Sequence, residues 1–98
     1  MRGVAKPSLH YPRVTIAYAN SLIDIEKYDV DHELCIVTCR VRLKNSHRFT
    51  GEAIVANSEF FDIDRGKSVA RKKVIDKIME AEMYLLRTRL YEQSIKGE

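Results

Sequence analysis

The segment LCIVTCRVRL, residues 34–43, decides the fold because its side chains alternate strictly in polarity. This alternation is typical of a half-buried β-strand, since successive side chains point to opposite faces of a sheet. One face carries Cys35, Val37, Cys39, Val41 and Leu43, and the other carries Ile36, Thr38, Arg40 and Arg42. After Asn45 and Ser46 a second alternation covers residues 49–55, so the two segments predict an antiparallel hairpin.

The loop of this hairpin is predicted to contain an odd number of residues. A three-residue loop places Leu43 opposite Phe49 and Val37 opposite Val55, which keeps the apolar faces of both strands on one side of the sheet. A two-residue loop would mix the faces of the two strands. We therefore expect the three-residue loop or an equivalent bulge.

A long helix is predicted after the hairpin, since residues 67–96 contain neither Gly nor Pro and carry apolar side chains at helical spacing. Its apolar face comprises the stripe Ala70, Val74, Ile78, Ala81 and Leu85 and the adjoining stripe Ile75, Met79, Leu86 and Leu90. This face is wide enough to cover the hairpin. The candidate caps are Asn57, Ser58, Asp62 and Asp64. About 25 helical residues extend about 40 Å, so the helix either bends near residues 80–82 or projects its second half toward another chain.

The segment before the hairpin predicts a first helix and an N-terminal arm. Apolar residues recur at helical spacing over residues 14–28, and Thr15 is suited to cap this helix. Residues 24–33 are rich in Asp and Glu, so the helix end is expected to fray into an acidic loop. Residues 1–12 show no periodicity and predict a flexible arm. We therefore predict one α+β domain over residues 13–98, ordered helix, two-stranded antiparallel hairpin and long C-terminal helix.

Composition and charge restrict the classes of function. The 98 residues are 45% hydrophobic and 32% charged, as in one small globular domain. Such a domain buries only about 60–65% of the surface that its unfolded chain exposes, which leaves too little bulk for a deep catalytic cavity. The net charge of +3 permits nucleic-acid binding without requiring it. The sequence contains neither an apolar run long enough for a membrane span nor a secretory signal, so we expect a cytosolic protein with no membrane partner.

The sequence offers no set of side chains with catalytic or metal-binding chemistry. Cys35 and Cys39 would stand about 13 Å apart on one strand, too far for a disulfide, and are predicted to be small core residues. His10, His32 and His47 fall in different segments and share no ligand spacing. We therefore expect a protein that is not an enzyme and uses no metal or cofactor.

The sequence Gly66-Lys67-Ser68 invites comparison with a phosphate-binding loop, but Phe61 stands where that motif needs its first glycine. A weaker anion site remains, because the N–H groups at a helix start are flanked here by basic side chains. The candidate anion or nucleic-acid contacts are Lys67, Arg71, Lys72 and Lys73. The competing interpretation, which we favour, is a solvated basic face with an ion pair between Lys72 and Asp76.

An ordered series of residues from about Pro12 to Tyr91 forms a family pattern. It comprises Arg13-Val14-Thr15, Leu43-Lys44-Asn45, Thr50-Gly51-Glu52, Phe61-Asp62, Gly66, Ala70, Lys77-Ile78, Glu82, Tyr84-Leu85-Leu86-Arg87 and Arg89-Leu90. This pattern resembles the gene forty-nine/gene sixty-six family of tailed-bacteriophage proteins. The resemblance implies a phage or prophage origin and action inside the infected bacterium, and it brings no activity, catalytic residue or cofactor.

The chain departs from the family pattern at two places. Members tend to have Trp-Pro-Leu-Glu-Gly where residues 79–83 read Met-Glu-Ala-Glu-Met, so a helix breaker is missing here. Members also tend to have Asn-Gly where Asn45 and Ser46 stand. The first departure leaves open whether the last helix is straight or broken near Glu80.

Three functions remain open on the sequence. The leading hypothesis is a small, non-enzymatic phage accessory protein that binds a host protein, in host takeover or defence inhibition, in the cytoplasm of the infected bacterium. Its candidate interface has the composition of an interaction hot spot and consists of Tyr84, Arg87, Arg89 and Tyr91.

The alternative is a double-stranded nucleic-acid-binding module that uses the basic start of the last helix. Its layout resembles double-stranded-RNA-binding domains, but residues 59–63 would have to supply the third strand of that fold. The third is a homo-oligomer formed through the exposed half of the C-terminal helix.

Overall fold

The computed structural model describes residues 13–56, 59 and 61–96. These residues form an α+β fold, which confirms the predicted class. The elements in chain order are α1 (Ile16–Ser21), β1 (Ile23–Asp31), β2 (Ile36–Leu43), β3 (Arg48–Ile54) and α2 (Ile63–Lys96). The three strands make one antiparallel sheet in the order β1-β2-β3. The predicted N-terminal arm, residues 1–12, lies outside the described residues.

The first helix is much shorter than predicted, and the acidic loop predicted after it is a β-strand. Thr15 caps α1 as expected, because its Oγ1 accepts a hydrogen bond from the backbone N–H of Tyr18 at 3.1 Å, but the helix ends at Ser21. Residues 23–31 then pair with β2. The pairing gives two acidic side chains basic partners: Asp24 binds Arg42 at 2.8 Å and Asp29 binds Arg40 at 2.7 Å. The third strand therefore precedes the hairpin, and the described residues of the segment predicted to supply it, 59 and 61–63, are not in a strand.

The β2–β3 hairpin has the predicted odd-length loop but a register displaced by two residues. Leu43 donates its backbone N–H to the carbonyl of His47 at 2.8 Å, so the loop is Lys44, Asn45 and Ser46. Ser46 adopts a left-handed backbone conformation with φ 74°, which tightens the turn around Asn45. The predicted pairs of Leu43 with Phe49 and Val37 with Val55 are therefore wrong.

The corrected register still places the apolar faces of β2 and β3 together. Val41 lies opposite Phe49, and Val37 lies opposite Ala53. Position 46 is where family members tend to carry glycine, the residue that reaches positive φ at little steric cost. The turn requires a positive φ at position 46, which explains why glycine is typical of the family there.

The core lies between one face of the sheet and the two helices. Fully buried Val37 and Cys39 of β2 pack beneath α2, and Ala19 of α1 closes one side. Cys35 is also buried and both thiols are free, in keeping with the predicted core role. Cys35 does not lie within the strand, however, because it adopts φ 55° in the turn that precedes β2.

The glycines at positions 51 and 66 bring α2 close to the sheet. A Cβ added to Gly66 would stand 2.7 Å from Val37 Cγ2, and one added to Gly51 would stand 2.6 Å from the carbonyl oxygen of Ala70. Gly66 lies inside α2, so it serves close packing and not backbone freedom before the helix. The distance between helix and sheet is set by these two positions.

Helix α2 is a single continuous helix of 34 residues, about 50 Å long at 1.5 Å per residue. The predicted cap Asp62 binds the helix start, since its Oδ1 accepts a hydrogen bond from the N–H of Arg65 at 3.1 Å, whereas the candidates Asn57 and Ser58 lie outside the described residues. The buried residues of α2 all fall between Gly66 and Ile78. The predicted apolar face therefore covers the sheet only in its first half. The second half projects beyond the sheet and makes the molecule elongated, with principal extents of 59 × 29 × 22 Å.

Candidate functional site

The four basic residues predicted to contact an anion do not converge on one point. Lys67 Nζ lies 5.4 Å from the ring centroid of Tyr28, a cation–π distance. Lys72 Nζ forms an exposed ion pair with Asp76 at 3.1 Å, as the competing interpretation expected. Arg71 and Lys73 make contacts within the fold, on opposite sides of α2.

Arg71 links three elements of the fold. Its guanidinium donates to Glu26 Oε2 on β1 at 3.1 Å and to Asn20 Oδ1 on α1. The hydroxyl of Tyr28 donates to the same carboxylate oxygen of Glu26. Arg71 thus acts as a clamp between α1, β1 and α2, and its charge has a partner within the chain.

The electrostatics of this clamp keep it charged. Partial burial raises the pKa of Glu26, but hydrogen bonds from Tyr28 and Arg71 and the charge of Arg71 outweigh burial and bring this pKa below its ordinary value. The hydrogen bond to Glu26 in turn raises the pKa of Arg71. Burial also raises the pKa of the Cys39 thiol, which stays protonated and unreactive at neutral pH.

Two lysines fasten the other side of α2 to the sheet. Lys73 Nζ donates to the carbonyl of Glu52 at 2.6 Å, and Lys77 Nζ donates to the carbonyl of Thr50. Both carbonyls belong to β3, an edge strand of the sheet, where backbone groups lack a neighbouring strand. Lys73 is therefore a contact within the fold and not a side chain presented to a ligand.

Three of the four candidate interface residues share one side of the projecting half of α2. At about 100° per residue, Tyr84, Arg87 and Tyr91 fall within about 60° of one another, whereas Arg89 points to the opposite side. Tyr84 and Tyr91 are 74% and 66% exposed. Tyr84 and Arg87 line a groove that Phe49 of β3 borders. We call Tyr84, Arg87 and Tyr91 the tyrosine face.

The projecting half also exposes apolar side chains that the sequence analysis assigned to the core or did not use. These are Met83, Leu85, Leu90 and Ile95. Their helical spacing was visible in the sequence, and it predicted an apolar face correctly. It did not indicate that the sheet ends near Ile78. Beyond that point the face is only partly covered, with Leu86 in a groove that Val14 and Tyr18 also line.

The outer face of the sheet is less polarised than the sequence suggested. Two of the acidic residues predicted to form a loop, Asp24 and Asp29, lie on β1 beside the basic residues of β2, where they form ion pairs with Arg42 and Arg40. Glu52 on the opposite edge strand lies across from Thr38 and takes no part in these two ion pairs. The acidic and basic segments therefore neutralise each other on one surface.

The fold thus defines a small α+β protein in which one helix projects beyond the sheet and exposes aromatic, apolar and basic side chains. The chain belongs to the phage protein (N4 Gp49/phage Sf6 gene 66) family, whose sequence model matches residues 14–90. This match confirms the resemblance and spans every element from α1 to the projecting part of α2. Searches of curated proteins and of solved structures found no match.

Two further features concern the described residues only. No described helix is both long enough and apolar enough to cross a membrane. Within the same residues, His, Cys, Asp and Glu side chains do not gather in groups of three or more that could hold a metal ion.

Proposed function

We propose that this phage protein acts by binding a host protein in the cytoplasm of the infected bacterium, in host takeover or defence inhibition, and without catalysing a reaction. The proposal rests on the tyrosine face. Its two tyrosine rings are largely exposed on either side of Arg87, on the half of α2 that extends beyond the core. Tyrosine and arginine are enriched among the residues that dominate the energy of protein interfaces.

The chemistry of this face indicates the kind of surface that would receive it. The groove beside this face has two basic residues, Lys77 and Arg87, and one acidic residue, Glu80, so its charge is net positive; Phe49 and Met83 line it as well. A helix that presents aromatic and apolar side chains one or two turns apart docks into an apolar groove on its partner. The basic side chains favour a groove with an acidic rim, because such a rim complements their charge.

The test compares capture of host proteins by the wild type and by the double variant Tyr84→Ala/Tyr91→Ala. Truncating one hot-spot tyrosine costs about 2 kcal/mol, so the affinity for the purified partner should fall at least about thirtyfold. Tyr18→Ala is the matched control, since Tyr18 is an exposed tyrosine on α1, and it should bind like the wild type. Affinity is measured by calorimetry once capture from host lysate has identified the partner.

Expression in the host bacterium supplies the biological measurement. The wild type should change growth or weaken a defence system, and the double variant should not. Capture of no specific protein together with no phenotype, or equal binding by the double variant, would overturn the proposal.

A second candidate function is favoured by the topology. The element order helix, three antiparallel strands and helix, with both helices against one face of the sheet, resembles the layout of double-stranded-RNA-binding domains. Strand β1 supplies the strand that this hypothesis lacked. Because Arg71 and Lys73 are held by contacts within the fold, the candidate phosphate ligands that remain are Lys67, beside the ring of Tyr28, and Lys72, in an exposed ion pair with Asp76.

A gel-shift titration against duplex RNA and duplex DNA at two salt concentrations tests this second candidate. Binding should weaken steeply with salt, and Lys67→Ala/Lys72→Ala should weaken it for every sequence, with a salt slope that falls by about one for each phosphate no longer bound. Lys96→Ala at the far end of α2 is the control and should leave binding unchanged. Absence of a shifted band at low salt, or a band that the double variant retains, would exclude this function.

A further inference from the structure

The projecting half of α2 carries an apolar stripe that is distinct from the tyrosine face. Met79, Met83, Leu86 and Leu90 follow one another at intervals of four, three and four residues, the spacing of the seam in a coiled coil. Met83 and Leu90 remain 40% and 42% exposed. Met79 and Leu86 are half-buried: Met79 packs against the edge of the core, and Leu86 lines a groove together with Val14 and Tyr18. The rings of Tyr84 and Tyr91 lie roughly a third of a turn away around the helix, so an occupant of the apolar stripe would leave both rings uncovered.

Charged residues flank the apolar stripe on both sides, at positions seven residues apart, and the sign of the charge changes from one position to the next. One side carries Glu80 and then Arg87, and the other side carries Glu82 and then Arg89. On each side an acidic residue near the body is thus followed, two helical turns later, by a basic residue near the tip. The four charges sum to zero, so the surface is complementary to its own copy in the reversed direction.

We propose that a second copy of this chain packs antiparallel against the apolar stripe and forms a two-fold symmetric dimer. With the two-fold axis near residues 84 and 85, Met83 meets the partner's Leu86 and Met79 meets the partner's Leu90. Because an interface of this symmetry uses the same patch on both copies, every contact occurs twice.

The charges select the antiparallel direction. In this arrangement Glu80 lies beside the partner's Arg87 and Glu82 beside the partner's Arg89, which gives four ion pairs per dimer. A parallel arrangement of the same stripe pairs only Glu82 with the partner's Arg87, which gives two. The antiparallel direction also separates the two α+β bodies to opposite ends of the helix pair.

The extent of the stripe sets the strength of the dimer. Four apolar residues per copy form a small interface, at the lower end of the range for specific association, so the dimer should dissociate on dilution. The dimer and the host-binding surface share Met83 and Arg87, but Tyr84 and Tyr91 stay outside the helix pair, so variants of these two tyrosines distinguish the two proposals.

Sedimentation velocity of the full chain over about a thousandfold range of concentration tests the dimer. The mass should rise from 11.4 kDa toward twice that value. The variant Glu80→Arg/Glu82→Arg and the variant Arg87→Glu/Arg89→Glu each place like charges opposite one another, and each should raise the dissociation constant by about tenfold or more. An equimolar mixture of the two variants restores opposite charges in all four pairs and should associate again.

Cross-linking measures the direction of pairing. Leu90→Cys alone should form no intermolecular disulfide, since the two copies of residue 90 lie about 16 Å apart in the antiparallel pair, whereas Met79→Cys/Leu90→Cys should cross-link. Tyr84→Ala/Tyr91→Ala is the control and should dimerise like the wild type, which separates this proposal from the proposed function. A monomer at all concentrations, charge variants that do not reassociate when mixed, or a disulfide through Leu90→Cys alone would overturn it.

Discussion

Ile78→Ala is expected to lower the free energy of unfolding by about 3–5 kcal/mol, the upper part of the range for truncating a fully buried isoleucine. Ile78 is the largest of the fully buried side chains, at 0% exposure, and it belongs to the last turn of α2 that contains buried residues. The truncation removes apolar contacts and leaves a cavity, because helix and sheet are held at a fixed distance by Gly51 and Gly66. Urea unfolding followed by circular dichroism measures this change.

Leu85→Ala is the matched control, seven residues farther along the same side of α2. Leu85 is 38% exposed, so its truncation should cost less than about 1 kcal/mol, as substitutions outside the core usually do. Both variants are measured at a protein concentration low enough to keep the chain monomeric. Equal destabilisation by Ile78→Ala and Leu85→Ala would mean that the core continues along α2, contrary to the structure.

The helical pattern of the sequence could not predict that burial along α2 ends between Ile78 and Leu85. Apolar spacing is a local property of α2, and it continues unchanged through Leu85, Leu86 and Leu90. Burial depends on where the sheet ends, which is decided by three strands remote in sequence. The spacing therefore predicted the helix and its apolar face, but not the point at which that face loses its partner.

The same reasoning explains the error at β1. Residues 14–28 satisfy a helical spacing, but a six-residue helix capped by Thr15 is all that forms. The strand after it is stabilised by pairing with β2 and by ion pairs such as Asp29 with Arg40, 11 positions away in the chain. One signal in the sequence indicated that the helix would not extend this far. Acidic residues lie at the C-terminal end of the predicted helix, where the helix dipole is unfavourable for them.

The candidate site, like the fold, could be predicted from the sequence only in part. The exposure of Tyr84, Arg87 and Tyr91 follows from their places on one side of a helix, which the sequence supplies. The separation of Lys67, Arg71, Lys72 and Lys73 does not, because Arg71 is drawn to Glu26 on β1 and Lys73 to a carbonyl of β3. Three of the four basic side chains therefore link α2 to β1 or β3, and the fourth, that of Lys72, forms an ion pair within α2.

Gly51→Ala is expected to destabilise the protein by about 2–3 kcal/mol, as forced overpacking of a core does. The added Cβ would stand 2.6 Å from the carbonyl oxygen of Ala70 and 3.0 Å from Val74 Cγ2. A carbonyl in the middle of a helix cannot rotate away, so α2 must lift from β3. Lys73 and Lys77 resist that movement, because they bind the carbonyls on either side of position 51. The reduced entropy of the unfolded alanine chain offsets only about 0.4–1 kcal/mol.

Gly66→Ala is the comparison that separates steric conflict with the backbone from conflict with a side chain. Its Cβ would meet only Val37, at 2.7 Å from Cγ2 and 3.3 Å from Cβ, and valine can shift within the core. Alanine within a helix also gains about 1 kcal/mol over glycine. The net cost should therefore be at least about 1 kcal/mol smaller than for Gly51→Ala, and thermal unfolding of both variants measures the difference. If Gly66→Ala proves the more damaging, the contact of α2 with β2, and not with β3, sets the distance between helix and sheet.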